Sequence, residues 1–257
     1  MISRSISPTS IDLVRPEFER HTVVISQPML FPWVGMLEQA RLADTFVHYE
    51  DVQFSKGSFT NRVQIKTAQG ATWLTVPLEC VRHGSQIADI RVNDSTRFRE
   101  KHLRTLQQSY ARAPHCAAMM SVVEGVYRTR SPWLSDLAIA SSEALWDVFD
   151  IRPTLVLSSS SLGIGGGSSQ RVLHICEALG ATHYVSGHGG RNYLDHESFA
   201  ERGISIGYMK YEMLEFAQQH GEFTPFVSAL DLLANVGPQG RTVIASAASQ
   251  WAPQPTH

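Results

Sequence analysis

Only three cysteines occur in the 257 residues, Cys80, Cys116 and Cys176, widely spaced and odd in number. Such a count excludes a disulfide framework and fits a reducing compartment. No apolar run approaches the roughly 18–20 residues that a bilayer span requires, so no membrane partner is expected. The opening MISRSISPTSIDLVRPEFERH has no apolar middle of the kind that marks a secretory signal, and a cytoplasmic location is the expectation. Excess positive charge is missing too. Lysines and arginines number 22 against 24 aspartates and glutamates, the formal charge is -2, and no basic cluster exceeds a pair. Nucleic-acid binding normally needs a basic face, so no nucleic-acid partner is expected. Neither G-x-G-x-x-G nor the lysine-bearing Walker pattern is present.

What the chain does have is a 43% hydrophobic composition, enough for a real core. TVVIS (22–26) is a β-branched run typical of a buried strand. Trp33, Leu37 and Ala40 then fall at i, i+4, i+7, the inward stripe of a helix, and TFVHY (45–49) is a second strand. RVQIKT and ATWLTVPL alternate apolar with polar residues and are joined by AQG, which predicts a hairpin, with IADIRV (87–92) as a third strand near it. Three helices follow. Phe98, Leu103, Leu106 and Tyr110 mark the first; Met119, Met120, Val123 and Tyr127 the second; Leu134, Leu137, Leu145 and Val148 the third, with Pro132 in its first turn. TLVLS (154–158), THYVS (182–186) and ISIGYMKY (204–211) restore strands alternating with helices. Ser168 or Ser169 is the expected cap of one helix and Gly180 its stop, while Asp195 caps a short helix ending at Gly203. FVSALDLLANVG and RTVIASAASQW close the chain as helices. The expected fold is α/β: a mostly parallel, Rossmann-like sheet flanked by helices, with a hairpin and helical insertion near 55–150. Residues 1–20 read as a flexible lead-in, 21–250 as one domain and 251–257 as a flexible tail.

Ligands of open α/β sheets bind beyond the carboxyl ends of the strands, so candidate site residues are those that follow each parallel strand. Ser26 and Gln27 follow the first; Glu50, Asp51 and Gln53 the second. Ser160 and its neighbours follow TLVLS, leading into GIGGGSSQ. After THYVS comes GHGGRNYLDH, where glycines expose His188 beside Ser186, Gly189, Gly190, Asn192 and Tyr193. An imidazole changes charge near neutral pH, which makes His188 the leading acid–base candidate; His196, in a helical first turn, is weaker. Adjacent side chains on a strand point opposite ways, so only one of Glu50 and Asp51 is expected to face a shared pocket. Lys56, Asn61 and Arg62 form a polar group suited to a phosphate or carboxylate, or else a solvated hairpin edge. GIGGGSSQ is a weak phosphate-loop signal. His183, His188, His196 and Asp195 match no standard zinc spacing, so no metal or other cofactor is expected. Cys80 and His83 lie close in sequence, which does not make an activated pair, and Cys176 is expected to pack in a helix.

The long block ISQPMLFPWVGMLEQARLADTFVHYEDVQFSKGSFTNRVQIKTAQGATWLTVPL, with SGHGGRNYLDHESFAERGI and FTPFVSALDLLANVG, resembles the WbqC-like family over roughly residues 22–245. The matched positions include Gln27, Pro28, Pro32, Trp33, Gly35, Asp44, Asp51, Gln53, Phe54, Asn61, Arg62 and Lys66. Farther along they include Ser186, Gly187, Tyr193, Asp231, Asn235 and Gly237. Many members carry a histidine before Gln-Pro; this chain has Ser26, which shifts the role of base toward His188. The resemblance implies transfer of an acyl or aminoacyl group, such as glycyl, to an amine, for example on a nucleotide-linked amino sugar. The setting is O-antigen or other surface-polysaccharide biosynthesis, or specialised metabolism. An implied donor is a carrier-protein thioester, which would make an acyl or peptidyl carrier protein a partner beside a small-molecule amine acceptor. In that reaction His188 and Asp51 would serve catalysis and the amides of Gly189 and Gly190, or Asn192, would hold the oxyanion. Ser26, Gln27, Trp33, Gln53, Lys56, Asn61, Arg62, Ser160, Ser186 and Tyr193 would bind substrate. Two other readings stand beside it. One is a nucleotide-dependent ligase or nucleotidyltransferase; the other is a non-catalytic subunit that recognises a carrier protein through Trp33, Phe54, Phe59 and Trp73.

Overall fold

The computed structural model describes residues 20–246 except 213. The expected lead-in up to residue 19, the end of the last helical segment and the tail lie outside the described residues. A five-stranded sheet has the order β5-β2-β1-β6-β7, from β1 (Thr22–Ser26), β2 (Thr45–His48), β5 (Leu155–Ser158), β6 (His183–Ser186) and β7 (Ser205–Tyr208), and every neighbouring pair is parallel. The hairpin of β3 (Arg62–Thr67) and β4 (Gly70–Thr75) forms a separate antiparallel sheet. This is the α/β architecture that the alternation of short apolar runs and helical stripes implies.

Side-chain alternation buries both faces of the sheet along β1, β2 and β6, as parallel sheets require, while the edge strand β5 starts exposed at Leu155 and Val156. Val24, Phe46 and Val185 share one register row and face one core. That core also takes up α1 (Val34–Arg41), α3 (Cys116–Arg128), α4 (Leu134–Val148) and α7 (Ala229–Val236). Val23, Ile25, Tyr184 and Ile206 face the other core, with α5 (Ser168–Ala178) and Phe199 of α6 (His196–Glu201). Helix α2 (Phe98–Ser109) completes the insertion, and α8 (Arg241–Ser246) packs against α1.

Several local expectations change. Residues 87–89 of IADIRV form a 3-10 turn, and Arg91 and Val92 make only isolated bridges. The reason is competition. The backbone of Ile90 and Val92 bonds the segment that starts α4, through Leu134 N–H to Ile90 O at 2.9 Å and Val92 N–H to Pro132 O at 2.8 Å. Pro132 accordingly lies outside α4, which starts after Trp133. The strand in ISIGYMKY stops at Tyr208. Gly167, without any side-chain bond, caps α5; Ser169 Oγ instead accepts the amide of Asp195 at 2.8 Å. Asp195 does cap α6, accepting from the amide of Ser198 at 3.3 Å, and Gly180 ends α5 with a left-handed φ of +65°.

A polar network ties the hairpin to α7 and to the loop that precedes it. Lys66 and Asp231 are 3% and 0% exposed. The Tyr110 hydroxyl donates to Asp231 Oδ2 at 2.9 Å and accepts the Lys66 amide at 3.2 Å. Asn235 Nδ2 donates to Asp231 Oδ1 at 3.2 Å, and Lys66 Nζ donates to Gln218 Oε1 at 3.1 Å and to the carbonyl of Glu222. Burial pushes the Asp231 carboxyl from its ordinary 3.8 up to about 6, against the lowering by Tyr110, Lys66, Gln218 and Asn235. A raised folded pKa means that the native state holds the proton more tightly. The resulting stability is complete below 3.8 and lost as pH rises through about 6. Urea unfolding of the native chain against Asp231→Asn across that window is expected to show a relative loss of about 3 kcal/mol, confined to the native chain. Parallel curves would show that Asp231 titrates alike in both states.

Candidate active-site crevice

Two segments meet where the strand order reverses. Ser26 and Gln27 leave β1, Gly187 to Gly190 leave β6, and between them lies a half-open cavity of about 600 Å³. Of the residues expected from sequence, it brings together Ser26, Gln27, Trp33, Ser186, His188, Gly189, Gly190 and Tyr193. Gln39 of α1 also lines it and holds the wall to the sheet, donating from Nε2 to the Val185 carbonyl at 3.2 Å.

The β6 loop is one 3-10 turn, His188–Asn192. The amide of Gly190 is already taken, donating to the Gly187 carbonyl at 3.1 Å. Those of His188 and Gly189 are first-turn amides with no helical acceptor, so oxyanion donors are sought in that pair rather than in Gly190. Gly190 is obligatory for steric reasons. A Cβ there would overlap Ser186 Oγ and stand 3.0 Å from Leu194 Cδ1.

The proton chemistry of the wall narrows to one group. Burial raises the Tyr193 phenol above its ordinary value. Burial also raises Tyr49, against the nearby Arg171 charge, and burial together with the Glu38 carboxylate raises Tyr211. Burial raises Tyr184 well above its ordinary value too, so all four wall phenols stay protonated at neutral pH and can donate but not accept a proton. Ser26 Oγ contacts Met36 Sδ at 3.6 Å and Ser186 Oγ donates to the Gly187 carbonyl at 3.1 Å, so neither is paired with an imidazole as a serine nucleophile requires. The three cysteines do not line the cavity. His188 is exposed at the rim, and its imidazole has no hydrogen bond among the described residues.

The remaining candidates lie elsewhere. Asp51 pairs with Arg171 of α5, Oδ2 to Nη2 at 2.5 Å, and accepts from Ser159 Oγ at 2.5 Å. Burial works against ionisation of Asp51, but the bonds from Arg171 and Ser159 and the Arg171 charge outweigh it and hold the carboxyl low. Ser160 donates through its amide, at 3.1 Å, and its hydroxyl to Glu50. Glu50 and Asp51 thus converge on Ser159 instead of facing apart, because β2 ends at His48 and strand alternation no longer applies. Asn192 is exposed and does not line the cavity. Gln53, Lys56 and Asn61 line a second cavity, of about 780 Å³, beside the hairpin. Arg62 lies over the Trp73 ring at 4.1 Å. His196 Nε2 is bonded to the Tyr208 hydroxyl at 2.8 Å.

Sequence reading missed Tyr49, Met209, Tyr211 and Phe226 in the wall. It also missed Arg171, although an arginine inside the apolar stripe of a helix signals a charge in need of a partner.

The profile of the WbqC-like protein family matches residues 27–243. A relative described as the uncharacterized protein Rv1507c, from Mycobacterium tuberculosis strain H37Rv, is 32% identical over 217 residues, 84% of this chain and 94% of the relative. No solved structure matches the chain.

Gly190→Ala is expected to lower the unfolding free energy by about 1–3 kcal/mol, the range for overpacking. Adding Ser186→Ala should recover part of that loss in urea titrations, because it removes the overlapping oxygen. An unchanged midpoint in Gly190→Ala would mean that the turn is not sterically fixed.

Proposed function

The chain belongs to the WbqC-like protein family, and from that premise we propose that it is an enzyme transferring an acyl or aminoacyl group from a thioester to an amine, with the reacting atoms in the crevice between β1 and β6. One observation supports the reading: an imidazole and two backbone amides, without partners among the described residues, share one turn at the switch point of a parallel sheet. The amine nitrogen attacks the thioester carbonyl, and His188 takes the proton that the nitrogen sheds. The amides of His188 and Gly189 hold the tetrahedral oxyanion. The C–S bond then breaks, and the thiolate leaves with a proton returned from His188, giving an amide and a free thiol. A carrier-protein thioester as donor and surface-polysaccharide or specialised-metabolite biosynthesis as setting belong to the same proposal.

The test is transfer from a carrier-bound or small thioester to a panel of amines, followed by mass spectrometry with and without ATP. The expected result is ATP-independent mass gain on the amine. Because His188 is exposed, His188→Ala should fold with an unchanged melting temperature and lose ~10²–10⁴-fold in rate, the usual contribution of general acid–base catalysis. Full activity in that variant removes His188 from the mechanism. Pyrophosphate release on adding ATP would replace transfer by a ligase reaction, and a stable carrier complex without turnover would leave a binding subunit.

A further inference from the structure

The wall of the crevice has a second property. Its described lining includes Met29, Met36, Met209, Trp33, Tyr211 and Phe226, and no lysine, arginine, aspartate or glutamate. Trp33 meets Tyr211 and Phe226 edge-on, with ring centroids 5.5 Å apart in both pairs. Gly35 makes this possible, since a Cβ there would overlap the indole that folds back over the first turn of α1.

Phe226 is the unusual member. It is 56% exposed and has a left-handed φ of +62°. Such a backbone costs a bulky residue of order 1 kcal/mol, and the ring gains little burial in return. The strain is held from behind. Gln218 Nε2 donates to the Thr224 carbonyl at 3.2 Å and Gln218 Oε1 accepts the Thr224 amide at 2.8 Å, in the loop that Lys66 anchors. The fold therefore spends backbone strain to keep a hydrophobic ring at the mouth of an uncharged cavity.

We propose that Trp33, Tyr211 and Phe226 form a clamp for an uncharged aromatic group on the substrate. This deepens the proposed function and shares only its choice of cavity. The volume of about 600 Å³ suits a ring and its linker. Methionines adapt to irregular apolar shapes, and ring edges and faces select flat groups. A diphosphate would lose its hydration against a wall with no described cation. If the acceptor is a nucleotide-linked sugar, its phosphates lie outside this cavity.

Calorimetry on the full chain would compare two probes, the N-acetylcysteamine thioesters of phenylacetic acid and of glycine. The phenylacetyl thioester is expected to bind ~tenfold or more tighter than the glycyl one, the effect of burying one ring. Phe226→Gly, which suits the left-handed backbone, should erase most of that preference and leave glycyl binding unchanged. Trp33→Leu should also reduce that preference. Equal binding of the two thioesters, or an unaltered preference in folded Phe226→Gly, overturns the clamp. Binding is read without turnover. Absence of transfer to every amine would therefore defeat the reaction proposed above while leaving this result to stand or fall alone.

Discussion

The handedness of parallel crossovers governs everything else in this molecule. A strand–helix–strand connection is right-handed almost without exception, so a chain that reverses direction across a sheet must also change face. From β1 the chain moves outward through β2 to β5, with α1 and α4 packed on one face. It then crosses from β5 to β6 and on to β7, with α5 and α6 on the other. The segments leaving the paired strands β1 and β6 consequently diverge toward opposite faces, and a crevice opens between them. That the cavity holding Ser26, Gln27 and His188 lies there follows from topology before any side chain is considered.

Polar residues at the same sheet edge divide into two groups with different work. Around β2 and β5 the carboxyl groups of Glu50 and Asp51 are consumed by Ser159, Ser160 and Arg171. This arrangement closes the edge: it satisfies the amides that start the 3-10 turn after β5 and ties α5 to the β2 loop. Removing one partner of such a buried charge pair typically costs 3–5 kcal/mol, because the other charge is left unpaired. Around β1 and β6 the crevice wall holds one imidazole, His188, which has no hydrogen bond among the described residues.

The sequence carried the architecture well because the strands are short, β-branched and bounded by turn residues, and the helices keep apolar stripes. The hairpin, the three middle helices and the Asp195 cap were all legible from local patterns. What failed depended on partners distant in sequence. Ile90 and Val92 look like strand residues, yet their backbone groups serve the start of α4. Gln53, Lys56 and Asn61 follow β2 as a site residue should, but the hairpin draws them to a separate cavity. Of the eight candidates that share the crevice, six sit at or just past the ends of β1 and β6, where position along the chain nearly fixes position in space. Trp33 and Tyr193 are brought in by the start of α1 and the end of the 3-10 turn. Tyr211 and Phe226 lie on a segment without regular structure, whose path is set by Lys66 and Gln218. No periodicity marks such residues.

An exposed base and an apolar cavity place contrasting demands on one reaction, and the proposed chemistry reconciles them through the substrate. His188 at the rim remains in contact with water, which lets it exchange its proton between turnovers. The oxyanion donors gain strength only when water is excluded, since electrostatic interactions weaken in a high dielectric. A crevice open on one side does not exclude water by itself. A ring seated among Trp33, Tyr211 and Phe226 would supply the missing cover, so binding energy from an unreactive part of the substrate would appear as rate at the carbonyl. Under the proposed transfer a truncated donor would lose turnover as well as affinity, and the strained Phe226 would complete a low-dielectric enclosure that the protein alone leaves open.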